Sequence, residues 1–173
     1  MDLLSAPVTT ERLLLRAVTA EHVAAVTSGR RLPGWAADFP SEGDREIAGM
    51  LARIGLPEPH AVLGQWVIVE RDTGLAVGGI GFFGRPEDGR IEFGYGLVES
   101  RRGKGYATEA ADAMVRLALA LPQVTEVVAM VDPVNAASVR VLEKAGLSFR
   151  SRECDELRYS TTAPQPGGGR TQR

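Results

Sequence analysis

The chain is poor in the residues that build covalent cross-links and metal centres. It contains one cysteine, Cys154, and two histidines, His22 and His60. A single cysteine excludes an internal disulfide and a cysteine-rich metal site, and two histidines hold a metal only with carboxylates beside them. We therefore expect no metal, place both histidines at the surface or in loops, and assign them no function.

Long hydrophobic runs and a strong net charge are missing as well. No apolar stretch approaches the roughly 18 residues that a membrane span needs, and the N-terminus has an acid at Asp2 and no apolar core typical of a secretory signal. A net charge of −2 gives no reason to expect nucleic acid or a membrane as a partner. We expect a cytoplasmic protein in which any basic site is local.

The composition is otherwise that of an ordinary globular protein. With 173 residues, 44% hydrophobic and 24% charged, the chain is long enough to bury a substantial core, and we expect a single domain over residues 1–163. Residues 164–173 are rich in proline and glycine and have the composition of a disordered tail. The oligomeric state stays open, a homodimer included.

Hydrophobic periodicity and turn residues predict a mixed α/β fold. Helices are marked by capping residues before them and by glycine or proline after them. In chain order we predict a strand at 12–18, helices at 20–29 and 42–55, strands at 65–74, 75–84 and 90–99, a helix ending at Leu121, a strand at 126–131, a helix that Asn135 caps and Gly146 ends, and a strand pair around 153–156.

The segment 101-RRGKGYA-107 lies between a predicted strand and a predicted helix. Backbone N–H groups in the first turn of a helix lack partners, and the helix dipole places partial positive charge there. Gly103 and Gly105 let a ligand approach the backbone, while Arg102 and Lys104 add charge. The spacing matches neither the P-loop nor the dinucleotide fingerprint. These features favour a pyrophosphate site, and the alternative is a turn with solvated cations.

Three separated motifs resemble the GNAT acyltransferase superfamily. Arg102-x-x-Gly105-x-Ala107 matches its (Q/R)-x-x-G-x-(G/A) coenzyme A loop, and 135-NAASVRVLEKAGLSF-149 is similar to its N-x-x-S/A…E-K-x-G-F segment. The opening 11-ERLLLRAVTAEH-22 looks like that of the ribosomal-protein-alanine N-acetyltransferase-like branch. The resemblance covers the chain from about residue 9 to residue 162.

The resemblance implies an N-acetyltransferase that moves an acetyl group from acetyl-CoA to a primary amine of a peptide N-terminus or small molecule, by direct attack on the thioester. It implies a single-domain, mostly antiparallel mixed sheet with helices on both faces. This sheet would be splayed between its fourth and fifth strands, here 90–99 and 126–131, with coenzyme A in the splay. The alternatives are a catalytically silent acyl-CoA-binding module and a nucleotide-binding α/β domain.

Ten positions would contact coenzyme A if the resemblance holds. The pyrophosphate would lie on the amides of residues 102–107, and the pantetheine arm would pair with an exposed strand backbone. The residues concerned are Leu97, Val98, Arg102, Gly103, Lys104, Gly105, Tyr106, Ala107, Asn135 and Ser138.

Two residues are candidates for the chemistry. Glu92, in the fourth strand among apolar neighbours, would be the base that deprotonates the amine, unless it is a charge on the exposed face of the sheet. Many family members place a tyrosine seven residues after the asparagine, but Leu142 stands there. Ser138 would contact the coenzyme A thiol, or it is simply a residue in the first turn of a capped helix.

The acceptor side is predicted from a segment rich in proline and glycine. Trp35 and Phe39 would form an apolar wall for the acceptor, or they would fill the core beneath a loop. Asp38, Glu42 and Asp44 would attract a cationic amine.

Overall fold

A computed structural model describes residues 6–56 and 63–162. His60 and the proposed tail at 164–173 lie outside the described residues. The described chain forms an eight-stranded sheet in the order β1-β2-β3-β4-β5-β6-β8-β7. The strands are β1 (Val8–Thr9), β2 (Leu13–Ala17), β3 (Gln65–Glu70), β4 (Ala76–Glu87), β5 (Arg90–Leu97), β6 (Glu126–Val131), β7 (Ser148–Glu153) and β8 (Glu156–Thr162).

Within the described residues, four α-helices accompany the sheet: α1 (Ala20–Ser28), α2 (Glu42–Ile54), α3 (Tyr106–Leu119) and α4 (Ala136–Lys144). The expected caps are present: the side chains of Thr19, Ser41 and Asn135 accept hydrogen bonds from the first turns of α1, α2 and α4. Among residues 6–56 and 63–162, no helix is long and apolar enough to cross a membrane.

The predicted splayed sheet is confirmed. All neighbouring strands are antiparallel except β5 and β6, which run parallel. Their pairing ends at Glu92 opposite Val128, although β5 continues to Leu97 and β6 to Val131. These strands are the predicted fourth and fifth, because the two-residue β1 was not anticipated. We call the space between their diverging ends the slit.

Helices cover both faces of the sheet, and alternation along β5 separates the two faces. An added Cβ at Gly96 would point at Ser41, the cap of α2, whereas the neighbouring Tyr95 bonds Ser138 of α4. The face of α1 and α2 is therefore opposite the face of α3 and α4. On the second face, alanines and Met114 of α3 are fully buried, and the small side chains let this helix approach the strands closely.

The hairpin between β4 and β5 shows how glycine fixes the local path of the chain. Glu87 pairs with Arg90, which leaves Asp88 and Gly89 as a two-residue loop with φ of 49° and 77°. Positive φ at both loop positions defines a type I′ turn, whose backbone twist matches the twist of the two strands of a hairpin. This hairpin carries β5 back beside β4 and so places the slit.

We expect Gly78→Ala to destabilise the fold by about 1–3 kcal/mol, the usual cost of overpacking a core. A Cβ at Gly78 would collide with the backbone carbonyl of Gly96 and lie 2.9 Å from a methyl of Leu97. Denaturant unfolding measures the change. Gly49→Ala, inside α2 with nothing within 4 Å of the added methyl, is the control and should not lose stability. Equal stability of Gly78→Ala and wild type would contradict the packing.

Candidate functional site

The loop between β5 and α3 presents unpaired amides. The chain makes a 3₁₀ turn at Glu99–Arg101 and enters α3 through Gly103 and Gly105, with φ of 74° and 81°. Both glycines are therefore required by the backbone path itself. No side chain caps α3, and the first hydrogen bond of the helix runs from Glu109 N–H to the Gly105 carbonyl. The N–H groups of the first turn are thus directed out of the helix end, which suits an anion.

The buried side chain of Glu70 in β3, which is 5% exposed, holds the loop between β5 and α3 in place. Its Oε1 accepts from the Tyr106 hydroxyl at 2.7 Å, and its Oε2 accepts from Thr73 Oγ1 at 2.7 Å and from Arg101 Nε at 3.3 Å. The hydrogen bonds from Thr73 and Tyr106 lower the pKa of Glu70. Arg101 is consequently a structural partner, and the Tyr106 ring is buried, so that only the backbone amide of Tyr106 reaches the helix end.

The ion pair between Arg12 and Glu109 also holds this loop in place. Arg12 Nε donates to Glu109 Oε2 at 2.7 Å, and Arg12 Nη1 donates to the Lys104 carbonyl at 2.8 Å. The Arg12 guanidinium lies 4.9 Å from the centre of the Tyr106 ring. The resemblance included the segments around Arg12 and Glu109, but it gave no sign that they touch.

We expect Glu70→Gln to weaken coenzyme A binding about fivefold, the equivalent of roughly 1 kcal/mol. Glutamine keeps the shape but removes the charge that holds Arg101, so the loop loses its fixed position. Isothermal titration with coenzyme A measures the effect, with Tyr106→Phe as a second variant and the exposed Glu11→Gln as the control. Wild-type affinity in both loop variants would show that this network does not position the loop.

The exposed backbone edge in the slit ends at Leu97, one residue earlier than expected. Val98 donates its N–H to the Val77 carbonyl at 2.9 Å, and its own carbonyl accepts from Arg101 N–H at 3.1 Å. Both backbone groups of Val98 are engaged, which corrects the prediction that it pairs with a ligand. Because direction alternates along a strand, Leu97 and Tyr95 point their backbone groups into the slit. The Leu97 carbonyl there accepts from Arg102 Nε at 3.2 Å.

The far side of the slit is the N-terminus of α4. Asn135 Oδ1 accepts from Ser138 N–H at 3.0 Å, so the predicted cap is present. Ser138 Oγ lies 2.6 Å from the hydroxyl oxygen of Tyr95, which also donates to the Ser138 carbonyl at 3.3 Å. Leu142 is 1% exposed and packs in the core. Sequence reasoning did not single out Tyr95, which lies between Gly94 and Gly96 in β5.

A cavity of about 360 Å³ opens on the face covered by α1 and α2. Gly79, Gly94 and Gly96 form its floor, and the absence of side chains there is what makes room beneath α2. Met130 of β6 also lines the cavity, which therefore reaches across the slit. Among the described residues that line it, none is lysine or arginine, and the carboxylates are Asp44, Glu46, Glu92 and Glu156.

Glu92 lies on this cavity. It shares a face of β5 with Gly94 and Gly96, and its side chain lines the cavity while remaining exposed. Partial burial raises the pKa of Glu92, and the charges of Glu156 and Glu153 raise it further. Burial was anticipated from the sequence, whereas the two carboxylates from the β7–β8 turn region were not.

The predicted aromatic wall lies behind the cavity and not on it. Phe39 is 1% exposed, its ring centre is 5.0 Å from that of Trp35, and neither residue lines the cavity. Phe39 therefore packs in the core, and Trp35 is half-buried and packs against that core. The His22 ring packs at a tilt against both rings, with centre-to-centre distances of 5.4 Å to Trp35 and 5.8 Å to Phe39, and His22 lines the cavity itself. Burial lowers the pKa of His22, so its imidazole is neutral at neutral pH.

The predicted acidic residues near the acceptor separate into different roles. Asp38 accepts from Ser100 N–H at 2.9 Å and from Ser100 Oγ at 2.8 Å, so it fixes the 3₁₀ turn and does not line the cavity. Glu42 lies in the first turn of α2, away from the cavity lining. Asp44 does line the cavity, but it also completes the capping box with Ser41, and burial raises the pKa of Asp44.

Comparison with known proteins gives a family match over most of the chain. The family model described as Acetyltransferase (GNAT) domain matches residues 12–148. An uncharacterized N-acetyltransferase, YjdG of Bacillus subtilis (strain 168), is 39% identical over 99 residues, which are 56% of this chain and 59% of that protein. The chain spans about half the length of the curated relatives it matches.

Solved structures agree on the fold. An acetyltransferase of the GNAT family from Bacillus anthracis superimposes with a TM-score of 0.64 at 22% identity, covering 90% of this chain and 98% of that chain. A ribosomal L7/L12 alpha-N-protein acetyltransferase in complex with coenzyme A gives a TM-score of 0.62 at 19% identity, covering 88% and 95%.

Proposed function

Because the chain belongs to the acetyltransferase (GNAT) domain family, we propose that it transfers the acetyl group of acetyl-CoA to a primary amine. The observation that carries this proposal is the slit. Along β5 it connects the uncapped N-terminus of α3, which suits a pyrophosphate, with a cavity lined by carboxylates, which suits a cationic amine.

The residues around the slit fit the parts of coenzyme A. The pyrophosphate would lie on the amides of residues 103–107, because the predicted Arg102 amide donates to the Glu99 carbonyl at 3.2 Å. Arg102 and Lys104 are both exposed and would add charge through their side chains. The pantetheine arm would pair with the backbone of Tyr95 and Leu97 as an added strand does. Ser138 and the cap Asn135 would face the thiol end of the arm.

Chemistry at the cavity end follows from the groups present. A lysine-like amine has a pKa near about 10.4 and must lose a proton before it attacks the thioester carbonyl. Glu92 on the cavity wall is the proposed base, because its raised pKa brings it nearer to the range useful for proton transfer at neutral pH. Amine attack forms the C–N bond and breaks the C–S bond.

The acceptor is a cationic primary amine, either a peptide N-terminus or a small molecule. The carboxylate lining and the missing lysine and arginine in the described part of the cavity favour a positive charge. The name of the ribosomal L7/L12 neighbour supports a peptide N-terminus, as does the resemblance of the opening strand to the ribosomal-protein-alanine branch. The cavity is of a size that holds one small molecule or the end of a peptide.

A catalytically silent acyl-CoA-binding module is the second candidate. It is favoured by Leu142, which occupies the position of the tyrosine found in many family members and is 1% exposed.

Thermal unfolding with coenzyme A, ATP and NAD tests the cofactor assignment. We expect coenzyme A to raise the melting temperature at concentrations where ATP and NAD have no effect, since only coenzyme A fills both the loop and the slit. Stabilisation by ATP or NAD without stabilisation by coenzyme A would favour a nucleotide-binding domain instead.

A further inference from the structure

The proposed reaction leaves a thiolate that needs stabilisation, and the position where many relatives carry a tyrosine holds the buried Leu142. Another hydroxyl pair lies in the slit. We propose that Tyr95, together with Ser138, donates the hydrogen bond that stabilises the departing thiolate of coenzyme A. This inference rests on the proposed acetyl transfer and assigns a further catalytic residue to it.

The position of Tyr95 in β5 supports this role. It follows Glu92, where pairing with β6 ends, and precedes Leu97, where the strand ends, so it lies in the middle of the diverging segment. Alternation turns its side chain away from the face of Glu92, Gly94 and Gly96. The base and the amine cavity therefore lie on one side of the sheet, and the hydroxyl lies on the other.

A thioester in the slit would lie between these two sides. Tyr95 itself lines the cavity, so the space that would receive the amine extends to this residue. Its hydroxyl spans the slit to reach Ser138 Oγ at 2.6 Å, at the N-terminus of α4. The acetyl carbon can thus face the amine while the sulfur faces the two hydroxyls.

The two hydroxyls hold two protons, and the bond between them uses one. When Tyr95 donates to Ser138 Oγ, the Ser138 proton is available to a third atom, which in the working enzyme would be sulfur. When Ser138 is the donor instead, the Tyr95 proton bonds the Ser138 carbonyl at 3.3 Å. Burial raises the pKa of Tyr95, although the Ser138 hydrogen bond lowers it in part, so the phenol stays protonated at neutral pH. The centre of the Phe93 ring lies 6.1 Å from that of Tyr95, so the surroundings of the hydroxyl are partly apolar. A hydrogen bond in apolar surroundings is stronger than one in water.

The proposed step balances without any further reactant. The cationic amine first gives one proton to Glu92, which passes it to water. The amine nitrogen then forms a bond to the acetyl carbon and gives its second proton to Glu92. The C–S bond breaks, and its electron pair stays on sulfur, where the hydrogen bond from the hydroxyl pair stabilises the negative charge. Glu92 returns its proton to water, and the thiolate takes one from water as coenzyme A is released.

The titration of bound coenzyme A tests this role without knowledge of the acceptor. The thiol pKa is read from the rate of alkylation of the saturated complex by iodoacetamide as a function of pH. We expect a value below the free-thiol value of about 8.5 in the wild type, and a value raised by about one unit in Tyr95→Phe. Ser138→Ala should shift it in the same direction.

Tyr159→Phe is the matched control, because Tyr159 is a buried tyrosine of β8 outside the cavity lining. It should leave the thiol titration unchanged. Coenzyme A affinity should change by no more than about twofold in Tyr95→Phe, since the backbone groups of this residue remain. Once an acceptor is in hand, kcat should fall with little change in KM for acetyl-CoA.

The possible failures are distinguishable. If coenzyme A binds but its thiol titrates identically in wild type and Tyr95→Phe, Tyr95 only ties β5 to α4 and the inference is overturned, whereas the proposed acetyl transfer stands. If coenzyme A does not bind to the wild type, both the inference and the proposed function are overturned.

Discussion

Glu92→Gln is expected to lower kcat for acetyl transfer by about 10²- to 10⁴-fold at neutral pH, the usual contribution of a general base. Glutamine keeps the size of the side chain but cannot accept the amine proton. Coenzyme A binding should be unchanged, because Glu92 lies on the cavity face and not at the loop. Initial rates with saturating acetyl-CoA and acceptor measure the loss.

The pH dependence gives this prediction a second check. Activity of the wild type should fall as the pH drops through the pKa of Glu92, since the protonated acid accepts nothing. The midpoint of this fall in activity, the acidic limb of the pH profile, should lie above the pKa of an ordinary glutamate. Burial and then the charges of Glu156 and Glu153 raise the pKa of Glu92. Glu153→Gln, which removes one of these charges outside the cavity lining, should move the limb to lower pH with little loss of rate. Full turnover of Glu92→Gln at every pH would remove the base assignment.

Gly96→Val is expected to lower kcat/KM for the acceptor on the order of a hundredfold while leaving coenzyme A affinity unchanged. A Cβ at Gly96 finds open space, with Ser41 Oγ 3.9 Å away, so valine fits the strand and projects into the cavity. Valine also favours strand conformation, so the fold should be retained. The branched side chain would then occupy the floor over which the amine approaches.

Steady-state kinetics with varied acceptor, together with coenzyme A titration, measure this separation of effects. Gly49→Ala in α2 is the control, since its added methyl contacts nothing within 4 Å, and it should behave as wild type. An unchanged kcat/KM in Gly96→Val would show that the acceptor does not bind over this floor.

Local chemistry made much of the fold predictable. Capping by Thr19, Ser41 and Asn135 and the hydrophobic periods located the four helices of the described residues. The splayed sheet was implied by the resemblance to the GNAT superfamily. Contacts between residues distant in sequence were not predictable in this way. Glu70 meets Tyr106 across 36 positions and Arg12 meets Glu109 across 97, and no local pattern in either segment encodes such a meeting.

In the candidate site, too, features formed by adjacent residues were predictable and features formed by distant residues were not. The glycines and cations of the loop are adjacent in the chain, so their joint placement could be predicted. The cavity is assembled from α1, α2, β3, β4, β5, β6 and β8, which lie far apart in the chain, so no local pattern predicted its lining. Phe39 is apolar enough to serve either as core or as pocket, and its packing against Trp35 decided for the core. Tyr95 was missed because alternation in a strand does not reveal what lies across a gap in the sheet.

The most direct test of the proposed function is thiol release from acetyl-CoA by the purified chain in the presence of a panel of amines, with mass spectrometry of the products. The panel should contain peptides with free N-termini and small cationic amines, with N-acetylated forms of the same compounds as controls. We predict amine-dependent release of one coenzyme A per N-acetylated product, lost in Glu92→Gln. Tight binding of acetyl-CoA without acetylation of any amine in the panel would contradict the proposal and favour a silent binding module.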